Sequence, residues 1–114
     1  MVISNEQKLQ TKTRRNKQLI TPMGGCLATD KITVDGLAVD YMYREEAHNE
    51  LDSGWRFFSG TEDQAYVDNP DNTSVYDVNT IANYDRAIIP YLQLPLGAEL
   101  ERVRGTDEFR VIAG

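Results

Sequence analysis

Two aromatic-rich runs joined by a polar segment constrain the fold of this sequence more than any other feature. The first run reads YMYR at residues 41–44, and the second reads WRFF at residues 55–58. Aromatic side chains favour strands, whereas residues 45–52, which include the only histidine, His48, are polar and suit a loop. The two runs therefore predict an antiparallel hairpin with a long loop, and they contain no recognisable catalytic set.

Apolar and polar residues also alternate outside this hairpin. The alternation over residues 37–44 predicts that Val39, Tyr41 and Tyr43 share the inward face of a strand. The Asp35-Gly36 turn motif before it favours a strand pair, with the other strand at residues 32–34. Further strands are expected near residues 26, 76 and 78, 100 and 111, and the last two read as a terminal hairpin.

Two segments favour short helices. Thr61 is a candidate cap for a helix at residues 62–67, where acidic residues suit the positive end of the helix dipole. Asp85 is a candidate cap for a second helix at residues 85–92, which Pro90 limits to about two turns. Together these patterns predict an α+β fold, with a mainly antiparallel sheet and two or three short helices in a single domain.

The charge of the chain is unevenly distributed over a length that fits one domain of 114 residues. Residues 1–20 carry five basic residues and one acidic residue, whereas residues 21–114 carry seven basic and seventeen acidic residues. We expect residues 1–20 to be a basic arm, flexible or a frayed helix, and residues 21–114 to be the folded domain. The acidic domain disfavours nucleic acid and anionic membranes as partners and favours a basic protein.

Neither a disulfide nor a membrane span is expected. Cys26 is the only cysteine, and no apolar run approaches the roughly 20 residues of a spanning helix. The order of charged and apolar residues near the N-terminus does not fit a secretory signal. These observations favour a cytoplasmic location.

Residues suited to catalysis or metal binding are sparse. Cys26 and His48 are the only soft metal ligands and lie in unrelated segments, so zinc is not expected. Apolar neighbours of Cys26 indicate a buried thiol rather than a nucleophile. The acidic loop that begins at Asp68 lacks the glycine and the glutamate of a calcium-binding loop. We expect neither an enzyme nor a cofactor.

Acidic residues gather near the hairpin loop and the first predicted helix. They form either a docking field for a basic protein or a solvated face without a partner. Tyr43 and Trp55 are candidate anchors, although aromatic residues on alternating strands lie more often in the core. Arg44 either braces the hairpin through a carboxylate or contacts a ligand. The candidate partner-binding residues are Tyr43, Arg44, Glu45, Glu46, Asp52, Trp55, Glu62 and Asp63.

Several motifs resemble those of the immunity protein 33 domain family, formerly catalogued only as a domain of unknown function. The most specific are YMYRE at residues 41–45 and DSGWRFFSG at residues 52–60. The similarity spans about residues 24–102 and also includes the motifs GGCLATDKITVDG, DNPDN, VNTIANYD and PLGAELER. The resemblance implies a bacterial cytoplasmic protein. Some relatives lie beside polymorphic toxins and are thought to neutralise them by direct binding. The resemblance brings no catalytic residues.

We therefore expect a non-enzymatic binding protein of the immunity type, with a protein partner such as a basic toxin domain. Charge reversal at Glu62 and Asp63 is expected to slow its association with that partner. A stand-alone adaptor or small-ligand-binding domain is the alternative, and it would need an apolar pocket beside Trp55. A hydrolase would need two carboxylates that converge in a cleft.

Overall fold

A six-stranded sheet forms the centre of the protein, whose computed structural model describes residues 16–114. The strand order is β4-β1-β3-β2-β5-β6, and every neighbouring pair is antiparallel except β1 and β3, which are parallel. The predicted α+β fold, with a mainly antiparallel sheet, is confirmed. The strands are β1 (Gly25–Thr29), β2 (Tyr41–Arg44), β3 (Asp52–Phe58), β4 (Thr73–Asp77), β5 (Glu99–Arg102) and β6 (Phe109–Ala113).

Short helices lie between the strands. The α-helices are α1 (Asp30–Thr33), α2 (Gln64–Asp68) and α3 (Val78–Tyr84), and two 3₁₀ segments span Pro70–Asn72 and Arg86–Tyr91. One face of the sheet contributes Met42, Trp55, Phe57 and Leu100 to the core, together with side chains of α3 and of the second 3₁₀ segment. Burying this apolar surface is the main driving force for folding.

Both predicted hairpins are present. Tyr41 pairs with Phe58 across β2 and β3, and Arg102 pairs with Phe109 across β5 and β6. The strand expected at residues 32–34 is wrong, because α1 occupies that segment. Gly36 has a φ of 79°, and its N–H donates to the Ile32 carbonyl oxygen (3.2 Å), so the Asp-Gly motif ends a helix instead of a hairpin.

The alternation predicted around β2 places the wrong residues in the core. Met42 is fully buried, whereas Tyr41 and Tyr43 are half-buried on the opposite face of the strand. Val39 is also buried, but it precedes the strand, and its N–H donates to Asp85 Oδ2 (2.9 Å). The three residues therefore do not share one inward strand face, because β2 begins only at Tyr41.

Aspartates cap the helices that follow β3 and β4. Asp63, and not Thr61, caps α2 by accepting from the Tyr66 N–H (2.8 Å). The strand expected to continue through Val78 is wrong there, because Asp77 caps α3 and Val78 is its first residue. Asp85 caps the following segment as predicted, although that segment is a 3₁₀ helix.

The segment before β1 is tied to α3. The Asn79 side chain accepts from the Leu19 N–H (2.8 Å) and donates to the Lys17 carbonyl oxygen (2.7 Å). The rest of the predicted basic arm, residues 1–15, lies outside the described residues. Over residues 16–114, no helix has both the length and the apolar character needed to cross a membrane.

Candidate functional site

The face of the sheet opposite the core carries half-buried aromatic rings and carboxylates. In register, Tyr41 lies between Phe58 on β3 and Glu101 on β5, and Tyr43 lies between Arg56 and Glu99. Paired residues point to the same side of a sheet, so these six side chains share one face. We call it the outer face, and it contains Tyr41, Tyr43, Arg56, Phe58, Glu99 and Glu101.

Three rings form an aromatic cluster on the outer face. The ring centroids of Tyr41, Tyr43 and Phe58 are 5.7–5.9 Å apart, and the Tyr43 and Phe58 rings are stacked with 13° between their planes. All three side chains are partly exposed. Partly exposed tyrosines are common anchors in protein interfaces, because they offer a large rigid surface and a polar tip.

Two pockets lie beside the aromatic cluster, and Tyr41 borders both. The first, the β2–β5 pocket, has a volume of about 400 Å³, and the second has a volume of about 420 Å³. The β2–β5 pocket is lined by Tyr41, Tyr43, Arg44, Glu45, Glu46, Gly97, Ala98 and Glu99. The second pocket is lined by Asp40, Tyr41, Phe58, Gly60, Glu62, Val67 and Glu101. Each pocket therefore combines tyrosine with at least three carboxylates.

The Tyr41 hydroxyl donates to Glu99 Oε2. Burial and this hydrogen bond raise the pKa of Tyr41 above its ordinary range. Burial, followed by the nearby charge of Glu45, raises the pKa of Tyr43. Both hydroxyls therefore stay protonated at neutral pH and can donate hydrogen bonds.

A buried arginine that was not predicted from the sequence underlies this surface. Arg56 is 2% exposed, and it donates to both oxygens of Asp52 (2.9 and 2.7 Å) and to Glu45 Oε2 (2.6 Å). Hydrogen bonds from Arg56 hold the pKa of Asp52 well below its usual range. The sequence signal that could have indicated a buried arginine is its position between two aromatic residues of a predicted strand. Asp52 therefore serves mainly to neutralise Arg56.

Arg44 and Trp55 face the core side of the sheet. Arg44 donates to the carbonyl oxygens of Ser53 (2.9 Å) and Leu94 (2.8 Å), so it braces the hairpin through carbonyls and not through a carboxylate. Trp55 is fully buried, and its Nε1–H donates to the Leu92 carbonyl oxygen (3.1 Å). The proposal of Trp55 as an exposed anchor is wrong, since its ring fills the core.

Glu62 and Asp63 fix the loop after β3. Glu62 accepts from the Thr29 hydroxyl (2.5 Å) and from the N–H groups of Ser59 (2.8 Å) and Gly60 (3.0 Å). Burial raises the pKa of Glu62, but these hydrogen bonds outweigh burial and leave the pKa below its ordinary value. Asp63 caps α2. Of the eight candidate residues, Tyr43, Arg44, Glu45 and Glu46 line the β2–β5 pocket, and Glu62 lines the second pocket.

A cleft of about 490 Å³ lies at the other end of the sheet. Cys26, His48, Leu51 and Val75 are among its lining residues, and Trp55 is not. Cys26 is buried as predicted, and burial raises the pKa of its thiol above the ordinary range, which disfavours a reactive thiolate. Within the described residues, no three His, Cys, Asp or Glu side chains are grouped to hold a metal ion.

A family comparison agrees with the sequence motifs. The family model described as the immunity protein Imm33 domain matches residues 26–113, which is most of the chain. No curated protein and no solved structure gives a significant match. The matched region contains all six strands except the first residue of β1. The chain therefore belongs to the immunity protein Imm33 domain family.

Proposed function

We propose that this protein is a non-enzymatic immunity protein that neutralises a cognate bacterial toxin by direct binding through its outer face. The observation that carries the proposal is the aromatic cluster, with carboxylate-lined pockets on both sides of Tyr41. Membership of the immunity protein family supports a protein partner of this kind. The surface combines ring anchors with polar surroundings, as protein-binding surfaces commonly do.

The charge of the domain supports a basic toxin surface as the partner. Residues 21–114 contain ten more acidic than basic residues. Glu45 and Glu101 keep 41% and 39% of their side-chain surface exposed, and Glu46 is exposed as well. A negative field of this kind accelerates the encounter with a basic protein and disfavours acidic ones.

Paired affinity capture from the native host's lysate tests the proposal. The wild type and the double variant Tyr43→Ala, Glu46→Lys are used as baits, and Glu108→Lys is the control, because Glu108 is exposed and lines none of the three pockets described above. We expect one basic protein to be retained by the wild type and the control and lost by the double variant. That protein, when expressed alone, should arrest growth, and co-expression of the wild type should restore it.

Two results would contradict this function. A captured protein that has no effect on growth would remove the immunity role. Alternatively, all three baits could retain the same toxin equally, which would move the binding surface away from the outer face. Circular dichroism of the double variant separates a lost contact from a lost fold.

The cleft between β1, β4 and the hairpin loop favours a second candidate function, a stand-alone domain that binds a small ligand. Leu51 and Val75 are 80% and 74% exposed at its edge, and Gly25 lies among the residues that line it. Apolar clefts with a few polar groups are the usual sites for small molecules. A rise in melting temperature with a compound from a metabolite library, abolished by Val75→Glu, would support this function over toxin binding.

A further inference from the structure

The β2–β5 pocket has the chemistry of a site for one cationic side chain. Tyr43 contributes a ring to its lining, Glu99 lies directly across from Tyr43 in the β2–β5 register, and Glu45 follows Tyr43 by two residues on the same face. Neighbouring strands are about 4.8 Å apart, and residues two apart along a strand are separated by about 7 Å. Both carboxylates are therefore close enough to reach a single group placed over the Tyr43 ring.

Internal contacts, which for Glu45 include His48 Nε2 at 3.6 Å, fix these two carboxylates through their Oε2 atoms and leave part of each one available. Glu99 accepts from the Tyr41 hydroxyl through Oε2, and Glu45 accepts from Arg56 through Oε2. Among the contacts of the described residues, the Oε1 atoms of Glu45 and Glu99 have no hydrogen-bond donor, and Glu46 has no ion pair. Glu45 and Glu99 are thus held in position before any ligand arrives, which lowers the entropy cost of binding.

Arg44, the single basic residue in the pocket lining, forms no ion pair with these carboxylates, although Glu45 is paired with Arg56. Arg44 directs its guanidinium to the Ser53 and Leu94 carbonyls and lies 5.9 Å from the Trp55 ring, on the core side. Three carboxylates, those of Glu45, Glu46 and Glu99, therefore face a pocket that already contains aromatic rings. A guanidinium matches this arrangement better than an ammonium, because it stacks on a ring and forms forked bonds to carboxylates.

We propose that the β2–β5 pocket receives an arginine side chain of the protein partner, stacked on Tyr43 and bonded to Glu99 and Glu45. This inference rests on the proposed function for the identity of the partner. The chemistry of the pocket itself can be tested without a partner. The arginine would supply a defined contact at the centre of the binding surface.

The test uses N-acetyl-arginine methylamide as a probe in a ¹H–¹⁵N NMR titration of the full chain. We expect saturable shifts confined to amides near residues 43–46 and 97–99, with a dissociation constant of about 1–10 mM, as befits a single side chain. The Glu99→Gln variant should weaken binding about tenfold, and Tyr43→Leu about threefold. Glu108→Gln is the matched control and should bind like the wild type.

Two further probes decide whether a guanidinium is recognised. N-acetyl-citrulline methylamide keeps the shape without the charge, and N-acetyl-lysine methylamide keeps the charge without the fork. Both should bind more weakly than the arginine probe. Equal binding of either probe, shifts spread over the whole acidic surface, or no saturable shift would overturn the proposal.

The outcomes separate this inference from the proposed function. A toxin that binds the outer face of the wild type and of Glu99→Gln equally well would support the immunity function and contradict the arginine site. A pocket that binds the arginine probe in a protein that protects against no toxin would do the reverse.

Discussion

Arg56 shows how a single side chain connects the fold to the outer face. It occupies a strand position between Trp55 and Phe57, yet it is buried on the side opposite to them and compensated by Asp52 and Glu45. A buried charge is costly unless it is paired, and removing one partner leaves the other uncompensated. Glu45 consequently has two roles, since it balances Arg56 and borders the β2–β5 pocket.

Replacing Arg56 should therefore be far more harmful than replacing an exposed arginine in a comparable pair. We expect Arg56→Ala to lower the free energy of unfolding by about 3–5 kcal/mol, because it leaves the carboxylate of Asp52 without its charged partner. Arg110→Ala, which removes the exposed pair with Glu101, should cost about 0–1 kcal/mol. Urea denaturation measures both, and a similar loss for the two variants would disprove the burial argument.

The same ion pair predicts how stability depends on pH. The pKa of Asp52 is lowered in the folded protein from its ordinary value of 3.8, so its contribution is fully present above that value. It is lost as the pH falls below 3.8 toward the lower folded-state pKa. We expect Asp52→Asn to flatten the acid limb of a plot of unfolding free energy against pH. Asp71→Asn, at an exposed position in the 3₁₀ segment Pro70–Asn72, is the control substitution.

Within single elements, backbone geometry at Gly54 positions Glu45, the residue that follows β2. Gly54 has a φ of 91°, and its carbonyl oxygen accepts from the Glu45 N–H (2.9 Å). A β-carbon at Gly54 would lie 2.1 Å from the Glu45 carbonyl oxygen. The strand can therefore approach Glu45 closely only because this position lacks a side chain.

Alanine substitutions at two glycines should separate backbone strain from steric clash. Gly36 also has a positive φ, 79°, but no atom lies within 4 Å of a β-carbon placed there. We expect Gly36→Ala to cost about 1–2 kcal/mol from strain alone. Gly54→Ala should cost several kcal/mol more, since the backbone itself must move. Thermal unfolding of the two variants is the measurement, and equal costs would refute the clash.

The predictability of these elements depended on how local their interactions are. Both hairpins join strands adjacent in sequence, so the aromatic runs at 41–44 and 55–58 were sufficient to predict the first. The helix α3 was missed because Tyr76 and Val78 were assigned to one strand, although Asp77 followed by Val78, Ile81 and Ala82 has the cap and spacing of a helix. The β1–β3 pairing was not specified, because no local pattern encodes a parallel contact between distant segments.

The proposed binding surface was predictable only in part for a related reason. Tyr43, Glu45 and Glu46 come from one segment, whereas Glu99 joins them through the β2–β5 register. Glu62 was expected to steer a partner, but its carboxylate is occupied by Thr29, Ser59 and Gly60. Composition alone does not distinguish a free acid from one that accepts backbone hydrogen bonds.

At the scale of the whole molecule, the excess of acidic residues should govern the rate of association with the proposed toxin partner more than the rate of dissociation. We expect the association rate with a basic toxin to fall about tenfold or more as ionic strength rises from low to physiological values. Glu46→Lys should reduce both the rate and its salt dependence. Glu62→Gln should reduce the association rate less than Glu46→Lys does, and it should lower the free energy of unfolding more. Stopped-flow mixing at several salt concentrations would show this, and a salt-independent rate would exclude steering.

The position of β1 between β3 and β4 affects the order in which the protein can assemble on the ribosome. β1 is made first, but both of its neighbours come later, and the second ends only at Asp77. Synthesis proceeds at about 5–20 residues per second. The β1 residues Cys26, Leu27 and Ala28 therefore remain unpaired for a few seconds. The β2–β3 hairpin is complete before β4 and offers β1 its first template. A nascent chain that stalls between these two events would present a bare, apolar strand to chaperones.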